Sequence, residues 1–180
     1  MSDESKSKLS KDMAQKIIIP ALLIFIVFGI WVVKNTNKEI VPLVSDNPDF
    51  SLHVTEEIDL EKLKSYGLPI IIDFGADSCI PCKEMAPVLV DLNKELQGKA
   101  IIKFVDVWKY QAYGEGYPIS VIPTQIFIDE NGEPYKPKDP ENMRMKLYVL
   151  RDTEEHVFTA HEGGMNKEQM MDALREMGLQ

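Results

Sequence analysis

Residues 70–83 read IIIDFGADSCIPCK and contain the only two cysteines of the chain, Cys79 and Cys82. The first part is a short apolar run rich in β-branched residues, which is typical of a buried strand. The following segment, CKEMAPVLVDLNKELQGK, predicts a helix that ends near Gly98 and bends at Pro87. The two cysteines therefore lie where a buried strand is followed by the start of a helix.

Strand and helix patterns continue on both sides of this stretch. The run AIIKFVDV at 100–107 reads as a second buried strand, so a strand–helix–strand crossover favours a parallel pair. The other predicted elements are a short strand FSLHV, a helix IDLEKLKSYG capped by Asp59, a strand TQIFIDENGE ending in an Asn-Gly turn, a hairpin RMKLYVLRDTEEHVFTAH and a closing helix NKEQMMDALREMG capped by Asn166. Together they predict an α/β fold with a central mixed sheet flanked by helices.

Composition narrows the classes of function. The chain has 180 residues, of which 44% are hydrophobic, and its formal net charge is -9. An acidic chain repels the phosphate backbone, so we expect no nucleic-acid partner. Two cysteines are also too few for the disulfide framework of a small secreted scaffold.

The run IIIPALLIFIVFGIWVV at 17–33 carries no charge and predicts one N-terminal transmembrane helix. One alternative is a buried core helix, but such a helix in a small domain normally keeps a polar face. A second alternative is a cleaved signal peptide, which needs small residues at its cleavage site, whereas FGIWVVKNTNKE offers bulky ones. The pattern favours an uncleaved signal anchor.

Lysines around this run predict its orientation. Four precede it, Lys6, Lys8, Lys11 and Lys16, and two follow it closely, Lys34 and Lys38. The positive-inside rule then leaves residues 1–16 as a cytoplasmic tail. After the anchor at 17–33, a linker at 34–49 leads to a domain at 50–180 on the periplasmic or extracellular side of the cell membrane.

The position of the cysteines suggests redox chemistry. A helix N-terminus carries partial positive charge and free N–H groups, which stabilise a thiolate. Cys79 would sit at the helix start and be more exposed, while Cys82 would lie one turn further in. From there, Cys82 could attack a mixed disulfide held on Cys79, which is how thiol–disulfide exchange proceeds.

Two other uses of the cysteine pair stay open at this point. One is half of a zinc or copper site, although a structural zinc needs four ligands and the three histidines, His53, His156 and His161, lack ligand spacing. The other is a structural disulfide, which would constrain little because the loop it closes is very short.

Four segments of the chain between residues 50 and 180 resemble segments of the thioredoxin family, and their spacing resembles the spacing in that family. The first resembles the active-site strand, loop and helix of that family, and the second resembles the segment that holds the family's cis-proline. The third has a lysine about where the family often has one near its buried acid. The fourth resembles the family's final glycine and helix. In the order of that description, these segments are IIIDFGADSCIPCK, VIPTQIFIDENGE, IIKFVD and EGGMNKEQMMDAL. The resemblance implies a thioredoxin fold with thiol–disulfide oxidoreductase activity.

The resemblance implies a role for each matching residue of the active-site segment. Cys79 would be the attacking nucleophile and Cys82 the resolving thiol. Asp73 would be the buried acid, whose raised pKa would let it take the proton from Cys82. Ile80 and Pro81, between the cysteines, would meet the substrate.

The resemblance also implies a substrate groove beside the cysteines. Pro123 would follow a cis peptide bond, and the backbone of Ile122 would pair with a bound peptide by β-augmentation. Gly163 would line the groove, and Lys103 would support the buried acid.

The sequence departs from the family pattern at three places, of which the first two lie on the face that would meet substrate. Ser78 stands where the family usually has tryptophan, and Ile80 where it usually has glycine. The segment PYKPKDPENMRMKLYVLRD at 134–152 reads as an insertion that lengthens the end of the sheet. His161 and Glu162, just before the groove glycine, would either contact a partner or lie in a solvated turn.

Together these features lead to an expected function. We expect a membrane-anchored protein-disulfide reductase outside the cytoplasm, with no cofactor beyond the Cys79–Cys82 disulfide. Its partners would be a membrane-embedded electron-relay protein and exported disulfide-containing proteins, such as an apocytochrome c. The alternatives are a copper or zinc chaperone that uses the same cysteines, and a non-catalytic interaction module.

Overall fold

The computed structural model of the protein describes residues 47–180. The predicted tail at 1–16, the predicted membrane anchor at 17–33 and most of the linker lie outside the described residues. Within residues 47–180, no helix has both the length and the apolar character required to cross a bilayer.

Five strands pair in the order β2–β1–β3–β5–β4 to form one mixed sheet in this part of the chain. β1 and β2 are parallel, and the other neighbouring pairs are antiparallel. The strand bounds are Ile70–Gly75 for β1, Ile101–Asp106 for β2, Thr124–Ile128 for β3, Met145–Val149 for β4 and His156–Glu162 for β5. The predicted parallel pair and the predicted hairpin are both confirmed.

Within residues 47–180, three α-helices accompany the sheet: α1 at Leu60–Lys64, α2 at Ile80–Glu95 and α3 at Lys167–Glu176. The predicted N-caps are confirmed, since the side chain of Asp59 accepts from the Lys62 N–H, and Asn166 forms a capping box with Gln169. These caps satisfy backbone N–H groups that have no partner inside the helix. Short 3-10 turns lie at Pro48–Phe50 and Gln111–Gly114.

The core has one layer on each face of the sheet. On one face, Leu89 and Leu92 of α2 pack with Leu174 of α3 against alternate residues of the strands, including Ile71 and Phe127. On the opposite face, the other alternate strand residues pack with α1 and with the 3-10 turn at Pro48–Phe50, called the N-terminal turn below. This layer includes Phe50, Leu63, Ile70, Ile72, Phe74, Ile101, Val105, Ile126 and Ile128. Both faces of β1 are buried, and that explains why its sequence is apolar almost without interruption.

The strand predicted for FSLHV is wrong. Only one isolated bridge, between His53 and Phe104, joins this segment to β2. The carbonyl oxygen of Phe50 accepts instead from the side-chain amides of Asn93 and Gln97, at 2.9 and 3.1 Å. Because these amides occupy the acceptor, the segment does not continue as a ladder.

The predicted insertion at 134–152 supplies the edge strand of the sheet. Its strand β4 pairs with β5 from Met145 opposite His161 to Val149 opposite His156. The insertion therefore lengthens the sheet at the end away from β2, as the sequence predicted.

Candidate active site

The cysteine pair forms a disulfide at the N-terminus of α2. Cys79 is the N-cap residue, and its Sγ lies 3.4 Å from the backbone N of Cys82, whose N–H points at it. The Cα atoms of the two residues are 5.3 Å apart. Cys79 is 8% exposed and Cys82 is 3% exposed, so the first sulfur is the one closer to the surface. A thiolate on Cys79 would face the N–H groups of the helix start, which stabilise negative charge.

The Ile122–Pro123 peptide bond is cis and lies beside the disulfide. Sγ of Cys79 is 3.9 Å from the carbonyl oxygen of Ile122. The backbone N–H of Gly163 donates to the carbonyl oxygen of Pro123 at 2.8 Å. Gly163 has φ +100, a conformation that favours glycine, and a side chain there would point into open space. The chain thus brings Cys79, Cys82, Ile122, Pro123 and Gly163 together.

Exposed apolar residues border this disulfide. Ile80 is 71% exposed, and Pro81 beside it is also exposed, so the residues between the cysteines face solvent. Val121, next to Ile122, is half exposed. A large exposed apolar side chain next to a reactive group is typical of a protein-binding surface.

Asp73 is a fully buried carboxyl group on the same face of the sheet as α2. Its Oδ1 accepts a hydrogen bond from Nε2 of Gln125 at 2.8 Å, and its Oδ2 has no partner. Burial raises the pKa of Asp73 to about 7, against the lowering effect of the Gln125 hydrogen bond. A carboxyl group that exchanges its proton near neutral pH is suited to general acid–base chemistry.

Gly75 leaves a small space that joins Asp73 to Cys82. A Cβ at this position would lie 3.2 Å from Sγ of Cys82 and 3.4 Å from Oδ2 of Asp73. It would also lie 2.9 Å from the ring of Phe104, so a larger residue requires the ring to move. Sγ of Cys82 and Oδ2 of Asp73 therefore border the same small space beside Gly75.

The structure corrects the prediction for Lys103. In the parallel pair, Lys103 lies opposite Ile72 and Phe104 lies opposite Asp73. Neighbouring residues of a strand point to opposite faces, so Lys103 is on the other side of the sheet from Asp73. Its Nζ donates to the carbonyl oxygens of Pro48 and Ser51, at 2.9 and 2.8 Å. Lys103 therefore holds the N-terminal turn against the sheet and does not support the buried acid.

We expect Lys103→Met to lower the free energy of unfolding by about 1–3 kcal/mol, because two hydrogen bonds to a charged donor are lost. The titration of Asp73 should stay unchanged, because the two side chains are on opposite faces of the sheet. Denaturant unfolding and carboxyl-carbon NMR of the full chain measure these two quantities. A shift in the Asp73 titration would contradict the assignment of Lys103 to the N-terminal turn.

Sequence reasoning missed Gln125 and Asp106. Gln125 is fully buried in β3, and a polar residue inside an otherwise apolar strand is the signal that could have found it. The carboxylate of Asp106 accepts from the backbone N–H groups of Asp77, Trp108 and Lys109, at 3.0–3.1 Å. It thereby ties the loop before Cys79 to the loop after β2. An aspartate that ends a strand before a turn is its signal in the sequence.

His161 is not in a solvated turn. It lies in β5, is 4% exposed, and its Nδ1 is 3.0 Å from Oε1 of Gln125. His156, on the same strand, is engaged with the backbone and side chain of nearby residues instead. Among residues 47–180, no group of three or more His, Cys, Asp or Glu side chains is arranged to hold a metal ion.

Comparison with known proteins identifies relatives of this domain. A family model described as thioredoxin matches residues 52–151. Thioredoxin H4 of Arabidopsis thaliana is 37% identical over 71 residues, which are 39% of this chain and 60% of that relative. The thioredoxin of Rickettsia felis is 32% identical over 81 residues, which are 45% of this chain and 76% of the relative.

Two solved thioredoxin structures also align with this chain. A mutant thioredoxin from Halobacterium salinarum aligns with a TM-score of 0.49 and 22% identity, covering 72% of this chain and 92% of the other. Fasciola hepatica thioredoxin aligns with a TM-score of 0.45 and 24% identity, covering 66% and 91%.

Proposed function

The chain belongs to the thioredoxin family of thiol–disulfide oxidoreductases, and we propose that it acts as a membrane-tethered protein-disulfide reductase through Cys79 and Cys82. The observation that carries this proposal is the disulfide at the start of α2, with the buried Asp73 across the space beside Gly75. The exchange proceeds by thiolate attack on a disulfide sulfur, and a carboxyl group with a pKa of about 7 is suited to accept the proton of the second thiol.

The first step is attack by Cys79. In the reduced protein its thiolate attacks one sulfur of a substrate disulfide, a new S–S bond forms, and the other substrate sulfur leaves as a thiolate. The N–H of Cys82 directed at Sγ of Cys79 supports this assignment, because it stabilises the attacking thiolate. Cys79 is also the more exposed of the two cysteines.

The second step releases the substrate. Cys82 gives its proton to Asp73, and its thiolate attacks the Cys79 sulfur of the mixed disulfide. The Cys79–Cys82 bond forms, and the second substrate thiolate leaves. The substrate has then gained two electrons, and the protein is oxidised. The shared space beside Gly75 supports this proton transfer, since both Sγ and Oδ2 border it.

The groove beside Pro123 is the proposed substrate site. An extended peptide pairs with the backbone of Ile122, and Ile80 and Pro81 contact it from the other side of the disulfide. Gly163 leaves room for the peptide because no side chain enters the groove there. The contact between Sγ of Cys79 and the Ile122 carbonyl supports this site, because it brings the reactive sulfur next to the pairing backbone.

The proposed location is the outer side of the cell membrane. The uncharged run at 17–33 supports a signal anchor, and the lysines before it support a cytoplasmic tail. A reductase there needs electrons from a membrane-embedded relay protein. Its substrates are exported proteins with disulfides, such as an apocytochrome c. The buried acid and the isoleucine before Pro123 favour the reducing direction, since both resemble the reducing members of the family.

The test of the proposed direction is the reduction potential of the Cys79–Cys82 pair, measured on the full chain by equilibration with a thiol buffer. We expect a value near about -270 mV, which is typical of a reductase. A value above about -180 mV would instead indicate an oxidase or isomerase. Failure to form any disulfide would reject redox chemistry altogether.

A further inference from the structure

Three polar side chains form a row across the sheet beneath α2. Asp73 of β1 lies opposite Gln125 of β3, and Gln125 lies opposite His161 of β5. Asp73 and Gln125 are fully buried, and His161 is 4% exposed. Burying three polar groups side by side is costly unless they form hydrogen bonds with one another.

The amide of Gln125 connects the two outer members of the row. Its Nε2 donates to Oδ1 of Asp73 at 2.8 Å, and its Oε1 is 3.0 Å from Nδ1 of His161. Because an amide oxygen only accepts, Nδ1 of His161 must carry the proton and donate. Nε2 of Gln125 also lies 3.7 Å from Sδ of Met85, a weak acceptor. A donor at Nδ1 of His161 and the acceptors on the other side of the amide therefore favour the same orientation of Gln125.

We propose that His161 is a positioning residue for the thiol exchange, which it controls by fixing the Gln125 amide with its N–H toward Asp73. The proposal rests on the function proposed above, in which Asp73 receives the proton of Cys82. His161 itself touches neither sulfur. Its effect on the reaction passes through one amide group.

The orientation of the amide matters because the two ends favour opposite states of the acid. An N–H facing Asp73 stabilises the carboxylate, while a carbonyl oxygen would stabilise the protonated acid, which alone can donate to it. The N–H therefore opposes the burial that raises the pKa of Asp73. Without His161 the amide oxygen loses its donor, and the amide is free to turn.

The charge of His161 does not decide whether a ring protonated on Nδ1 can donate to Gln125. The pKa of His161 lies below its ordinary value, mainly because the residue is buried. Arg144 also lowers this pKa, while the backbone of Gly163 and the carboxylate of Glu162 raise it. Glu162 is paired with Lys146 at 2.6 Å, and the residue opposite His161 on β4 is the uncharged Met145. Both the Nδ1–H neutral ring and the charged ring donate from Nδ1, so the contact to Gln125 does not depend on the charge of His161.

The test compares His161→Phe with the matched control His156→Phe in the full chain. His156 is on the same strand but has no bond to Gln125. The readout is the pH midpoint of the Asp73 carboxyl carbon in the reduced protein, followed by NMR. We expect His161→Phe to raise this midpoint by about one pH unit, the effect of one hydrogen bond to a charged group, and His156→Phe to leave it unchanged.

Two further measurements complete the test. Gln125→Leu should raise the midpoint at least as much, and adding His161→Phe to it should change nothing more. In the unaltered chain, ring-nitrogen NMR should find neutral His161 protonated on Nδ1, so this readout stands even if a variant does not fold. An unmoved midpoint in His161→Phe, or a neutral ring protonated on Nε2, overturns the proposal. These titrations need no substrate, so a failure to reduce protein disulfides would reject the proposed function alone.

Discussion

Cys79→Ser should reduce disulfide turnover by at least about a thousandfold, because it removes the nucleophile that forms the mixed disulfide. Serine has nearly the same size, so the N-cap position at the start of α2 is kept and the fold should persist. Turnover is measured with the full chain, an insulin-like disulfide substrate and an excess of a small dithiol as electron donor. Residual activity close to that of the unaltered chain would show that Cys79 is not the nucleophile.

Cys82→Ser provides the matched comparison, because it keeps Cys79 and removes only the resolving thiol. We expect this variant to form mixed disulfides that persist, since no neighbouring thiol can displace the bound substrate. Non-reducing electrophoresis and mass spectrometry would detect the adduct, and replacing both cysteines should abolish it. If Cys79→Ser captures substrate and Cys82→Ser does not, the two roles are reversed.

Asp73→Asn should change how stability depends on pH. Burial raises the pKa of Asp73 from its ordinary value of 3.8 to about 7, so the folded chain holds this proton more tightly than the unfolded chain. The contribution of the Asp73 proton to the free energy of unfolding is complete below about pH 4 and is lost as the pH rises through about 7. At about 1.4 kcal/mol per pH unit, the loss reaches about 4 kcal/mol at most. Asparagine carries no such proton and avoids the loss.

The measurement is denaturant unfolding of the oxidised full chain between about pH 4 and pH 9, the interval set by the pKa values of the unfolded and folded states. Asp73→Asn should gain stability relative to the unaltered chain as the pH rises. Asp91→Asn, an exposed carboxylate on α2, serves as the control and should show no such gain. A difference that is constant across the range would mean that Asp73 is not the group with the raised pKa.

The same variant should slow substrate release. If Asp73 accepts the proton of Cys82, its loss should lower the rate of the second step by about a hundredfold near neutral pH. The first step, attack by Cys79, should change much less, because Asp73 faces Cys82 across the space beside Gly75. Rapid-mixing kinetics separate the two steps, and an equal effect on both would argue against a proton acceptor for Cys82.

Much of the fold was accessible from local patterns. The apolar runs predicted β1, β2 and β3, the caps at Asp59 and Asn166 predicted two helix starts, and the insertion predicted the extra edge strand. The FSLHV segment failed because its periodicity resembles a strand, whereas side-chain amides from α2 take the carbonyl of Phe50. No local pattern signals such a long-range competitor for a backbone group.

The sequence by itself predicted the chemistry, since Cys79 and Cys82 at a strand-to-helix junction, together with the other segments that resemble thioredoxins, indicate thiol exchange. Only the tertiary structure decided which side chains surround that pair. The structure places Lys103 on the face of the sheet opposite Asp73, and it places Gln125 and His161 in one row with Asp73. The physical reason is register: a shift of one residue in a strand sends every side chain to the other face, and register is set by pairing between strands far apart in the chain.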